Sequence, residues 1–230
     1  MKLIVLFFLF FVTSSYAIQS YDNLSLLDKN KKTGIIIINE GISTYTISLG
    51  ANSGMFGMLG VLLSEKGNTY ESGERKRFVE ALTVVEKRLN VKNLFLQVYK
   101  TVFSEKGIDV IKLKGKLTLD YLDSFKKPRR SKKKKYSKYD FRFIKDKFNV
   151  EQLIVVDVKY GLLLDTKYGI CEIETRIINL EDNSLLYRNS SLGNIDVEGK
   201  WKTPPEFDNL YNAIRKAIEN AILLEKIKFR

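Results

Sequence analysis

Leu153-Ile154-Val155-Val156-Asp157-Val158 is the stretch on which the fold turns. Five of its six residues are aliphatic, and it is too short for a free-standing helix. A run of this length, rich in β-branched residues, reads as a central strand buried on both faces. Downstream the pattern changes to strict alternation over residues 170–180. Cys171, Ile173, Thr175 and Ile177 fall on one side, and Glu172, Glu174 and Arg176 on the other. That is a strand half covered and half wet. Glu181-Asp182-Asn183-Ser184 supplies turn residues, and residues 185–189 return as the second arm of a hairpin. Thr203-Pro204-Pro205-Glu206 then carries a Thr-x-x-Glu capping box with proline at the first helical position. Phe207, Leu210, Tyr211, Ile214, Ala217, Ile218, Ala221 and Ile222 follow as one apolar stripe, which pins a closing helix to the sheet.

Upstream of the central strand, Thr33-Gly34-Ile35-Ile36-Ile37-Ile38-Asn39 predicts a second buried strand, and residues 44–49 a weaker one. A helix is expected from Ser72, with Phe78, Leu82, Val85 and Leu89 on one face, interrupted or ended at Asn90. Leu94, Phe95, Val98, Val102 and Phe103 give a second helical face that stops at Gly107. Residues 108–113 read as a strand, and residues 117–125 and 139–148 as helices. The fold class is α/β in a mixed sense: one sheet of about five strands flanked by helices, in the order β-α-β-α-β-β-β-α. Helical crossovers imply parallel pairing among the early strands, and hairpins imply antiparallel pairing among the later ones.

The first residues set the compartment. Lys2 precedes ten apolar residues, 3–12, and Ser15 and Ala17 give a small-x-small exit. This is the layout of a secretory signal peptide over residues 1–17, with Ile18 beginning the mature chain. Ten residues rise only about 15 Å as a helix, half of a hydrocarbon core of about 30 Å. Residues 18–32 read as a loose lead-in and residues 33–230 as one domain. The expected location is therefore the periplasm, the outer-membrane periphery or the exterior.

Composition excludes several chemistries. The chain has no histidine and a single cysteine, Cys171. A Ser-His-Asp triad, a Cys–His nucleophile and a Cys/His zinc site are all unavailable, and so is an intramolecular disulfide. No phosphate-loop, dinucleotide or nucleophile-elbow string occurs. Cys171 lies in alternating sequence and reads as a small buried hydrophobe. No cofactor is expected. The surviving enzymatic route is a carboxylate pair drawn from Asp157, Asp165, Glu172 and Glu174, as in an exported glycoside hydrolase. The competing reading of the same residues is an ordinary solvated strand face.

Two segments are candidate contact surfaces. Gly54, Met55, Phe56, Gly57, Met58, Leu59 and Gly60 belong to an apolar run, residues 54–63, with glycine at every third position. Small residues let backbones approach closely, so the segment reads either as core or as contact with a membrane or a partner copy. Ser64-Glu65-Lys66-Gly67 is expected to close it as a helix end, as Ser104-Glu105-Lys106-Gly107 does for a later helix. The second segment is a basic loop over residues 126–138. Lys126, Lys127, Arg129, Arg130, Lys132, Lys133, Lys134, Lys135 and Lys138, with Lys2, account for ten of the net +12 charge. The rest of the chain is nearly balanced. The loop is either a self-repelling surface insertion or a site for anionic lipid or a polyanionic wall polymer. Tyr136 and Tyr139 offer stacking faces, but export argues against a nucleic-acid partner. Asn23-Leu24-Ser25 and Asn189-Ser190-Ser191 have the form of glycosylation acceptors in a eukaryotic host.

Residues 150–158, then 173–187, then the closing helix resemble a group of exported bacterial α/β proteins. The group comprises small periplasmic lipoproteins allied to the curli-secretion lipoprotein, activator lipoproteins of penicillin-binding proteins, and the amino-terminal domain of the Tol-system translocation protein. The resemblance spans residues 33–38 and 73–225 and is one of pattern. It implies a non-catalytic envelope component that binds other envelope proteins or its own copies. Those relatives usually carry a lipid-modified cysteine just after the signal, where this chain has Ile18.

Overall fold

The computed structural model describes residues 27–48, 62–65, 72–113, 137, 139–163, 167–200 and 207–229. Residues 1–17, read as a signal peptide, most of the expected lead-in, residues 54–61, the helix read at 117–125, residues 126–136 with Lys138, Asp165 and the capping box read at 203–206 lie outside them.

A mixed sheet organises the chain. Its order is β2-β1-β4-β5-β6, with β3 also paired to β1. The strands are β1 Thr33–Ser48, β2 Leu62–Glu65, β3 Val110–Lys112, β4 Gln152–Leu163, β5 Tyr168–Asn179 and β6 Leu185–Asp196. The helices are α1 Ser72–Leu89, α2 Val91–Ser104, α3 Phe143–Phe148 and α4 Phe207–Lys228. β1 pairs in parallel with β3 and β4, whereas β4–β5 and β5–β6 are antiparallel. This is the α/β mixed fold that the alternation of elements implies.

The central strand behaves as its composition requires. Residues 153–156 of β4 are fully buried, with odd and even positions on opposite faces. Ile154, Val156, Val158, Tyr160 and Leu162 join the main core beneath α1, α2 and α4. Leu153 and Val155 join a second core with Phe141, Ile144, Val150 and Ile178, around the short α3. Each fully buried aliphatic side chain contributes about 1.5–3 kcal/mol. Arg88, at the end of α1, meets Asp208 at 2.7 Å and lies over the Tyr211 ring, tying α1 to α4.

Several expectations are corrected. Residues 33–39 and 44–49 are not two strands: β1 runs continuously through Ser48, with its pairing to β4 shifted between Asn39 and Ile42. Gly41 takes φ +98° there, and its N–H donates to Asn39 Oδ1 at 2.9 Å. Glycine tolerates this conformation, so the break signal is absorbed as a bulge. Ser64-Glu65 does not close a helix. Leu62–Glu65 pairs antiparallel with Tyr45–Ser48, because the backbone of β1 offers a ladder that outweighs a local cap signature. The same tetrapeptide at 104–107 does end α2, with Gly107 at φ +74°. Asn90 separates α1 from α2 in the left-handed region. Helix α3 begins at Phe143, not at Tyr139, because Asn183 takes the preceding backbone: its Oδ1 accepts from Phe141 N–H and its Nδ2 donates to the Tyr139 carbonyl. Leu27, placed in the lead-in, is buried in the main core.

The return strand is longer than residues 185–189. It continues through Ser190, Ser191, Gly193 and Asn194, which are weak strand formers. Gly193 explains the extension. A Cβ there would collide with the Ala217 carbonyl oxygen and come within 2.8 Å of the Ala221 nitrogen. Glycine thus lets α4 lie directly on β6.

Candidate functional site

The carboxylates singled out from the sequence come together, but as a charge ladder. On the sheet face opposite α1, α2 and α4, Asp157 of β4 stands across from Glu174 of β5, and Lys159 across from Glu172. Arg176 reaches both neighbours, with its guanidinium 3.5 Å from Asp157 Oδ2 and 3.5 Å from Glu174 Oε1. Arg188 of β6 donates to Glu174 Oε1 at 2.7 Å, and Ser190 Oγ donates to Glu172 Oε1 at 3.4 Å. Three acids thus alternate with Lys159, Arg176 and Arg188. Burial raises the Asp157 carboxyl, partly offset by Arg176 and Lys159. Burial likewise raises Glu172, with Lys159 and Ser190 pulling it back. A general acid and base need an open space between them for substrate, and here cations occupy it. Asp165 lies outside the described residues.

A shallow cleft does exist, on the helix side of the β1 bulge. It encloses about 320 Å³ and is lined by Asn39, Gly41, Glu86, Asn90, Lys92 and Tyr160, with Val91. Its position follows from the fold: the bulge lifts β1 beside the α1–α2 junction. A Cβ on Gly41 would meet Glu86 Oε1 at 2.8 Å, so Glu86 rests against bare backbone. Burial raises the Tyr160 phenol, while its bond to the Asn39 side chain pulls the other way. The lining holds one carboxylate, one ammonium, one phenol and two amides. The sequence reading missed this cleft; the signal was Gly41 interrupting an otherwise regular β run.

The third polar feature is internal. Glu225 of α4 is 1% exposed and accepts four bonds. They come from Tyr99 Oη of α2 at 3.0 Å, Thr175 Oγ1 of β5 at 2.5 Å, and Asn189 Nδ2 and Ser191 Oγ of β6 at 2.9 and 2.7 Å. Burial first, and the Glu225 charge second, hold the Tyr99 phenol well above its ordinary value, so it stays a donor. Lys228 completes the group, donating to Asn189 Oδ1 at 2.9 Å and to the Ser190 carbonyl at 2.6 Å. The sequence held a cue: Glu225 continues the spacing of the Ile218 and Ile222 stripe, where a charge is unexpected. Asn189, the second glycosylation candidate, is buried in this network and is no acceptor in the folded chain. Cys171 is fully buried, and burial pushes its thiol far up, as a small core residue.

The polyanion candidates Lys126, Lys127, Arg129, Arg130, Lys132, Lys133, Lys134, Lys135 and Lys138, and the contact candidates Gly54 to Gly60, lie outside the described residues. Among the described residues no helix is long and apolar enough to cross a membrane.

No family model and no curated protein matches the chain. Among solved structures it is similar to the PelC dodecamer from Paraburkholderia phytofirmans, at 10% identity over 84% of this chain and 90% of that one, TM-score 0.28. It is similar to hypothetical protein CT253 from Chlamydia trachomatis, at 8% identity over 85% and 98%, TM-score 0.33. It is also similar to a neuraminyllactose-binding hemagglutinin homolog from Helicobacter pylori, at 11% identity over 89% and 86%, TM-score 0.37. Likenesses at these identities and scores assign no function to the chain.

Proposed function

We propose that this chain is an exported protein that acts by binding, as an interaction or assembly component outside the cytoplasm, and catalyses no reaction. The observation that carries the reading is the neutralised ladder. Asp157 and Glu174 are paired with Arg176 and Arg188, Glu172 accepts from Ser190 with the Lys159 charge nearby, and no histidine is available anywhere to serve in their place. The cleft at the β1 bulge adds polar groups but no histidine or cysteine. The export half of the proposal rests on residues 1–17, and the pattern-level kinship with the exported lipoprotein group belongs to the same proposal.

The test uses single amide variants, Asp157→Asn, Glu172→Gln and Glu174→Gln, expressed in cells lacking the native copy. Each is expected to fold, fractionate and support growth like the parent. Loss of function in a variant with an unchanged circular dichroism spectrum would restore the hydrolase reading.

A further inference from the structure

The outer edge of β6, which ends the sheet order, carries no partner strand among the described residues. Two backbone bonds fix which of its groups point outward. Asn179 N–H donates to the Ser184 carbonyl, whereas Leu180 N–H donates to the Glu151 carbonyl. Odd residues of β5 therefore face β6, and even ones face β4. Ser190 stands opposite Glu174, so its N–H and C=O point away from the sheet. The same holds for Arg188, Leu192, Asn194 and Asp196, whose side chains share the face opposite α4. The bond from Lys228 to the Ser190 carbonyl agrees with this assignment.

The geometry points to a second copy of this chain as the occupant, its β6 antiparallel across a twofold axis at Leu192. An antiparallel pair centred there sets Leu192 against its own counterpart, Ser190 against Asn194, and Arg188 against Asp196. The outward groups coincide in this register, giving about ten backbone bonds over five facing pairs. Charge selects it: Arg188 and Asp196 are four residues either side of Leu192, so each copy offers both halves of two opposite-charge pairs. Arg188 bonds Glu174 from a side chain still 48% exposed, and Leu192 is 37% exposed. Helix α4 fits the same arrangement. It packs over β5 and β6, so two strand spacings of about 4.8 Å put the two α4 axes about 10 Å apart, a normal helix-packing distance. Leu224, one turn before Lys228 on the flank beside the edge, is 41% exposed, and neighbouring Ile227 is 55% exposed. Lys228 guards the edge in the single copy, a common protection of an open strand, and releases the Ser190 carbonyl when the second copy pairs. The inference rests on the binding reading and names its partner.

Disulfide capture tests it. In the full-length chain, Leu192→Cys places two thiols about 5.5 Å apart between Cα atoms, within bonding reach. Ser190→Cys alone leaves the same pair about 14 Å apart, because four residues separate it from its own counterpart. Cys171 is fully buried and does not compete. The expected result is dimer from Leu192→Cys under mild oxidation, none from Ser190→Cys or Asn194→Cys singly, and dimer from those two mixed. In the unmodified chain, sedimentation is expected to show reversible dimer. Arg188→Asp weakens it about tenfold, and adding Asp196→Arg restores it. A monomer at all concentrations, or equal crosslinking from all three single cysteines, would overturn the inference. Amide variants that keep function alongside that monomer would leave the binding reading standing; loss of function in them would remove it separately.

Discussion

Replacing Glu225 with alanine is the sharpest probe of how α4 is held. The carboxylate accepts from Tyr99, Thr175, Asn189 and Ser191, all buried. Hydrogen bonds to a charged group are worth about 1.5–3 kcal/mol each, so the gross loss is about 6–12 kcal/mol. Two effects return part of it. Removing a desolvated charge recovers several kcal/mol. Tyr99 Oη also lies 2.5 Å from Thr175 Oγ1, and Asn189 Nδ2 lies 3.4 Å from Ser191 Oγ, so the donors re-pair with one another. The truncated side chain leaves a void as well. The expected net cost is about 3 kcal/mol, which at a urea m-value of about 2 kcal/mol/M lowers the midpoint by about 1.5 M. Equilibrium urea unfolding followed by circular dichroism measures it. A cost under about 1 kcal/mol at unchanged m would refute the claim that this network fastens α4 to the sheet.

Other outcomes follow from the same structure. Gly193→Ala is expected to destabilise by about 3 kcal/mol, because its Cβ strikes the backbone of α4, whereas a Cβ at Gly107 meets only Lys29 Cδ at 4.0 Å and Gly107→Ala loses only about 1 kcal/mol through its positive φ. Comparable losses in thermal unfolding would contradict the close-approach argument. Burial raises Asp157 and Glu172, so the folded chain holds their protons more tightly than the unfolded one, and their contribution to stability increases as pH falls through their folded-state values. The parent should therefore gain stability relative to an Asp157→Asn, Glu172→Gln double variant as pH is lowered from neutral into the carboxylate range; a relative loss reverses the assignment. If residues 126–138 hold a polyanion, changing Lys132, Lys133, Lys134 and Lys135 to glutamine abolishes salt-sensitive retention on heparin or anionic vesicles; unchanged retention leaves the segment as a self-repelling surface loop.

Where burial and periodicity agree, the sequence sufficed. Residues 153–158, the alternation of residues 171–177 and the stripe from Phe207 to Ile222 each present one pattern with one structural solution. The failures occurred where a partner strand decides the conformation. Leu62–Glu65 carries a helix-end signature but meets the ladder of β1. Ser190 to Asn194 lack strand propensity, yet pair with β5 because Gly193 admits α4. The carboxylates of the polar ladder were legible as a set. Their neutralisation was only partly so, because Arg176 lies on the same strand while Arg188 arrives from the next one. Asn39, Glu86, Asn90, Lys92 and Tyr160 come from four separate elements and one junction, and beyond Gly41 nothing local in the chain announces that they meet.

Whether this chain works as an exported binding protein is settled most directly by recovering the native molecule from fractionated cells and weighing it intact. Envelope or extracellular fractions are expected to contain a chain starting at Ile18. A molecule that retains Met1 and partitions with the cytosol would contradict it.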